Sequence, residues 1–169
     1  MILPIQRISR ELYSPYGDLI AGKDGSGGGE VANQGTAEAF HNLASFKNLR
    51  PDSASPSISV FRVQPLSQTN LRLKLLEKHP YSTQFFIPMN AVAYLAIVAL
   101  GDEHPEVDTL KVFKVPGNQA IGYHPGVWHY PMVALERVTD FVTMTYQIGN
   151  SEDCVIQEFN KDMELEISM

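Results

Sequence analysis

The sequence predicts a mainly β protein: an antiparallel barrel or sandwich with a few short helices. Three observations predict it. From residue 57 onward, apolar and polar residues alternate with period two in one short segment after another. Each segment is bounded by Pro, Gly, Asn or acidic turn residues, with few convincing helical patterns between them. The longest apolar run, AVAYLAIVAL at 91–100, is too short to span a bilayer and reads as a buried strand.

Taken in order, SRELYSPYGDLI begins with Ser9 as a helix N-cap and meets Pro15 and Gly17, which predicts one helical turn and then a strand. Residues 21–35 hold six glycines and predict a flexible loop. That loop is not a phosphate cradle, because no Gly-Lys-Ser/Thr ending and no helical pattern follows. Residues 47–57 form a second loop. SISVFRV, NLRLKLLEKH, TQFFIPM, the apolar run, TLKVFKV and VTDFVTMTYQI are the strands. EVDTLKVF leads a short helix into its strand, and the last ten residues fit either strand or helix. No internal repeat is present, and 1–169 reads as a single domain.

Composition narrows the function classes. A net charge of −6 and an isoelectric point near 5.3 argue against a nucleic-acid footprint and against a basic membrane-surface patch. The N-terminus has no charged leader followed by an apolar stretch and a cleavage site, so the expected compartment is the cytosol. Cys154 is the single cysteine, which leaves no internal disulfide and no cysteine-rich metal site. Its acidic neighbours would raise the thiol pKa, so it reads as a structural strand residue.

The informative strand is 71–79. If Leu71, Leu73 and Leu75 face inward, alternation turns Glu77 and His79 inward as well. An unpaired carboxylate inside a barrel costs several kcal/mol, so Glu77 must meet a cation, a metal, a ligand or water. The alternative is that alternation breaks near Leu76 and that EKHP is a solvated strand end. The second dense stretch is GYHPGVWHYP, 122–131, with His124, His129 and the only tryptophan. Pro125 and Gly126 interrupt the strand there, so one histidine lines a pocket while the other packs outside it; the sequence does not say which. His104 reads as a solvated turn residue, His41 as a partly buried one, and Trp128 as core or pocket wall.

Glu77-x-His79-x4-Gln84 resembles the first cupin motif, and Pro125-Gly126-x-x-His129 the second. By that resemblance the barrel is cupin-like. Glu77, His79, Gln84 and His129 then form a four-donor set suited to a divalent first-row metal such as nickel, manganese, iron or zinc. Glu replaces the usual first histidine, and Gln the usual glutamate.

Over nearly its whole length the chain resembles ureidoglycolate lyases. The resemblance rests on YSPYGDLI, ANQGTA, LEKHPYSTQFFIPM, AYLAIVALGDEHPEVDTLKVF, GNQAIGYHPGVWHYPM and VTDFVTMTY, in family order. It implies a cytosolic homodimer of allantoin (purine) degradation that cleaves (S)-ureidoglycolate to glyoxylate and urea. It also implies a divalent metal, nickel among the candidates, and no organic cofactor. That chemistry needs a base for the substrate hydroxyl, an acid for the departing urea nitrogen and a cation for the carboxylate. His79 or His129 is the candidate base, with Glu77 orienting it, unless both hold the metal. His124 or Tyr123 is the candidate acid. Arg62, which matches the family's arginine, is either the carboxylate clamp or an outward strand residue. Asn33 and Gln34 are candidates to read the ureido end, and Gln84 to contact substrate or metal. Two rivals remain: another metal-dependent cupin enzyme, and a cupin-like sensor of small carboxylates.

Overall fold

The computed structural model describes residues 2–22, 28–67, 70–159 and 165–168. In chain order, β1 (Ile2–Leu3) and β2 (Ile5–Arg7) precede the one-turn helix α1 (Arg10–Tyr13) and β3 (Gly17–Ile20). β4 (Glu30–Ala32) and β5 (Ala37–Ala39) flank a 3-10 turn at Asn33–Gly35. β6 (Ser55–Val63), β7 (Asn70–Leu73), β8 (Leu75–Lys78), β9 (Gln84–Pro88) and β10 (Ala93–Ala99) follow. After a 3-10 turn at Val107–Thr109 come β11 (Lys111–Pro116), β12 (Ala120–Tyr123), β13 (Trp128–His129), β14 (Val133–Leu135) and β15 (Thr139–Gln147). A 3-10 turn at Ser151–Asp153 leads to β16 (Val155–Glu158) and then to β17 (Leu165–Ser168).

Two sheets face each other. One runs β3-β12-β9-β15-β6; the other runs β16-β8-β13-β10-β11-β2, with β14 also on β10. The expected mainly β architecture is therefore what the chain adopts. It is not antiparallel throughout, because β2 joins β11 and β1 joins β17 in parallel.

Strand β10 shows why the sequence folds this way. Tyr94, Ala96 and Val98 pack between the sheets with Phe86, Ile121, Tyr123 and Phe141. Its alternate residues, Leu95, Ile97 and Ala99, pack on the other face with Leu3, Leu73, Leu76 and Trp128. Both faces are buried, so the sequence has no alternation to show there.

Ser9 caps α1 as expected, accepting a hydrogen bond from the Leu12 amide at 3.2 Å. The glycine-rich loop is shorter than the sequence suggests. Residues 23–27 lie outside the described residues, and Glu30 already pairs with Ala39 in the β4–β5 hairpin. His41 is exposed rather than partly buried, 3.9 Å from Glu30.

Strand 71–79 corrects one expectation. It breaks at Lys74 into β7, which pairs with β17, and β8, which pairs with β13 and β16. The buried leucines are Leu73 and Leu76, not an unbroken 71-73-75 face. Glu77 and His79 still share a face, opposite the one that buries Leu76.

Candidate active site

β8 and β13 carry the site. In their antiparallel pairing Glu77 lies directly opposite His129. Alternation along β13 sends Trp128 to the outer core and His129 to the inner one, where its ring stacks on Tyr123 at 4.1 Å between ring centres. His79 follows β8 and stacks on His129 at 5.7 Å. One donor atom from each of Glu77, His79 and His129 lies within 4.8 Å of the others.

The GYHPGVWHYP stretch makes this possible. The Val127 amide bonds the His124 carbonyl at 3.1 Å, and Gly126 has φ of +82°. That is a type II turn, with Pro125 at its second position and Gly126 at the third, where a positive φ is required. The Gly126 amide then donates to the His79 carbonyl at 2.9 Å, tying the turn to the segment that holds the facing histidine.

Backbone bonds fix both imidazole tautomers. His79 Nδ1 donates to the Asp153 carbonyl at 2.7 Å, and His129 Nδ1 donates to the Val127 carbonyl at 3.0 Å. A carbonyl oxygen can only accept, so both rings carry a proton on Nδ1 and turn Nε2 towards the site. His129 Nε2 lies 3.5 Å from Glu77 Oε1 and has no hydrogen-bond partner among the described residues. Gln84 is buried, and its Oε1 is likewise unpartnered.

Electrostatics favour a neutral His79 and an ionised Glu77. Burial pushes the His79 pKa below the ordinary histidine value, and His129 adds to this, outweighing Asp153 and Glu77. Burial pushes the Glu77 carboxyl up, yet His129 and His79 together hold it below the usual carboxylate value. Burial drives the Tyr123 hydroxyl far above its ordinary value, with the Glu77 charge adding to the effect.

The donor set fits a divalent first-row ion. Two imidazoles and a carboxylate converge, with an orphaned amide oxygen on the strand beside Tyr123.

Not every sequence-predicted residue joins this group. His124 is half-buried, hangs from the Tyr16 carbonyl through its amide at 3.0 Å, and is not among the three. Of the two histidines, His129 is the one beside Glu77. Arg62 points outward from β6 and makes a two-pronged pair with Asp140 at 2.8 and 2.9 Å. Within one chain it is therefore engaged away from the triad. Asn33 and Gln34 sit exposed at the β4–β5 turn with φ of +50° and +58°. Two further cavities, of about 320 and 500 Å³, lie against Phe40 and Pro116 respectively, and neither touches the triad. Sequence reasoning missed Asp153, whose carbonyl orients His79; a backbone acceptor leaves no side-chain signal to read.

A family model described as ureidoglycolate lyase matches residues 1–166. The chain belongs to the ureidoglycolate lyase family. Among curated relatives, ureidoglycolate lyase of Escherichia coli strain SMS-3-5 is 39% identical over 157 residues, spanning 93% of this chain and 94% of that protein. The Shigella boydii serotype 18 ureidoglycolate lyase is 38% identical over the same spans. A solved structure, RmlC from Streptococcus suis in complex with dTDP-D-xylose, overlays with a TM-score of 0.42 at 10% identity. It covers 62% of this chain and 49% of that one, too loosely to carry an argument. No helix among the described residues is long and apolar enough to cross a membrane.

Proposed function

We propose that this ureidoglycolate lyase family member breaks the C–N bond of (S)-ureidoglycolate in allantoin degradation, releasing glyoxylate and urea. The observation that carries the reading is the convergence of Glu77, His79 and His129 between the sheets, with folding favouring an ionised Glu77 and a neutral His79. Ureidoglycolate carries a hydroxyl and the ureido nitrogen on one carbon. As the hydroxyl proton leaves, its oxygen forms the aldehyde C=O, the C–N pair goes to nitrogen, and a proton must reach that nitrogen. No water and no covalent nucleophile are consumed.

A divalent ion held by Glu77, His79 and His129, with Gln84 as a further oxygen donor, would supply Lewis-acid polarisation of the hydroxyl and a cation for the carboxylate. Nickel and other first-row ions suit this set. A cation is wanted there, because Arg62 faces outward and Arg50 is tied to Glu152 at 2.6 Å. In an ion-free site the His79 Nε2 lone pair accepts the hydroxyl proton directly. The oxygen and nitrogen are on the same carbon, so one imidazole can take the proton from the first and return it to the second. Tyr123, whose hydroxyl stays protonated and has no hydrogen-bond partner among the described residues, donates a hydrogen bond to the substrate.

We further propose a cytosolic homodimer. Ile58 and Val60 on edge strand β6, with Ile87 and Met89 at β9, leave an apolar outer sheet face exposed. Such an edge calls for cover. Light scattering coupled to gel filtration checks this, and a monomer at micromolar concentration would overturn it. The unpaired Cys154 is consistent with a reducing compartment.

The test is turnover of racemic ureidoglycolate, followed as glyoxylate, urea and ammonia, before and after chelation. Equal glyoxylate and urea from half of the racemate support the reading. Activity lost on chelation and restored by one ion assigns the ion; activity that survives assigns the imidazole route. Ammonia without urea, or no turnover in either state, would sink it.

A further inference from the structure

The turn behind His79 is more heavily built than a surface connection requires. The Asp153 carboxylate accepts three backbone amides, from Ile148 at 2.9 Å, Gly149 at 2.7 Å and Asn150 at 3.2 Å. The Asn150 side chain accepts from the Glu152 amide at 2.8 Å and completes a reciprocal capping box with Asp153. All of this fixes one outward-going group: the Asp153 carbonyl that takes the His79 Nδ1 proton at 2.7 Å. An ion pair with an exposed partner on the outer side of the turn adds little to it. Arg50 bonds Glu152 at 2.6 Å and lies 3.4 Å over the Tyr81 ring, two residues beyond His79.

We propose that Asp153 is a positioning residue: its carboxylate holds the 148–153 turn so that its own carbonyl locks the His79 ring with the proton on Nδ1 and Nε2 free. Its relevance to turnover rests on the reading of Glu77, His79 and His129 as the reacting centre. Replacing the Asp153 side chain leaves the bonding carbonyl in the chain and removes only what steadies it. The role is thereby separable from direct contact with substrate.

The experiment uses the full chain, ¹⁵N-labelled and stripped of metal, with Asp153→Ala, Asp153→Asn and Glu152→Gln. Long-range ¹H–¹⁵N correlation reads the two His79 nitrogens, assigned by their loss in His79→Gln. Calorimetric titration with Ni²⁺ and then Mn²⁺ reads the donor set. The wild-type chain shows His79 protonated on Nδ1. Asp153→Ala mixes the two tautomers and weakens ion binding by about 10- to 100-fold, the usual effect of losing an outer partner of a ligating histidine. Asp153→Asn falls between, because its amide oxygen still accepts, and it stands in should the alanine variant fail to fold. Glu152→Gln loses the Arg50 pair but keeps the wild-type tautomer and stays within about twofold in affinity. Wild-type His79 nitrogen shifts in both Asp153 variants would overturn the proposal. If the unaltered chain binds neither ion, the metal reading falls while the nitrogen shifts still decide the role of Asp153.

Discussion

Gly17 and Gly122 let β3 and β12 lie against each other, and Gly17→Ala tests how much the site depends on that approach. A Cβ at Gly17 would stand 1.8 Å from the Gly122 carbonyl oxygen and 3.1 Å from the Tyr13 ring. Ordinary contact for carbon begins near about 3.5 Å, so β3 and β12 would have to part by well over ~1 Å. Backbone faces backbone, and no side chain can swing aside. Overpacking of this kind costs about 3 kcal/mol, offset by about 0.5 kcal/mol from the stiffer unfolded chain. With about 2.1 cal/mol/K of unfolding entropy per residue over 169 residues, each kcal/mol moves the midpoint by ~3 °C. Gly17→Ala should therefore melt ~7 °C below the parent. It should also lose turnover, because the displaced strand carries Tyr123 onto His129. Gly122→Ala should lose less, since the atoms nearest its Cβ belong to the Phe85 ring, at 2.4 Å, and a side chain can yield. Scanning calorimetry and initial rates measure both. A Gly17→Ala protein melting within about 2 °C of the parent would refute the reasoning, given the overpacking cost just used.

Three more outcomes are expected. In the metal-free chain, His79 and Glu77 both have pKa values lowered by folding, so the unfolded state binds more protons as pH falls. Urea midpoints should drop as pH falls from the ordinary histidine value of 6.5 through the lower folded one, and again below the ordinary carboxylate value of 4.5; a flat midpoint over that window contradicts the assignment. Burial first, then Glu77 and Asp153, push the Cys154 thiol up to about 11. Alkylation by iodoacetamide should thus be slow at neutral pH and climb about tenfold per unit until that value, and a plateau near the ordinary 9.0 would contradict it. Arg62→Ala should leave kcat/KM within about twofold, whereas a loss of about a hundredfold would return Arg62 to the substrate carboxylate.

Most of the barrel was legible because half-buried strands alternate, and TDFVTMTYQ does so cleanly, with Thr139, Phe141, Thr143 and Thr145 inward. The pairing of Glu77 with His79 was legible for the same reason, although the premise of one continuous leucine face failed at Lys74. A strand that changes partners shows no punctuation when the residue at the break is a lysine. The choice between His124 and His129 was not legible, because it depends on the exit direction of a type II turn. Nor was the outward course of Arg62, since alternation cannot say which face of an edge strand meets solvent.

The single bond from the Gly126 amide to the His79 carbonyl joins segments 47 positions apart in the chain. The donors it brings together do not exist as a set in the unfolded chain. Any ligand that binds them is thermodynamically linked to closure of the barrel. At a thousand times its dissociation constant, such a ligand adds about 4 kcal/mol to unfolding. The melting temperature of this protein is then a readout of site occupancy, and ligand supply sets how long the folded enzyme persists.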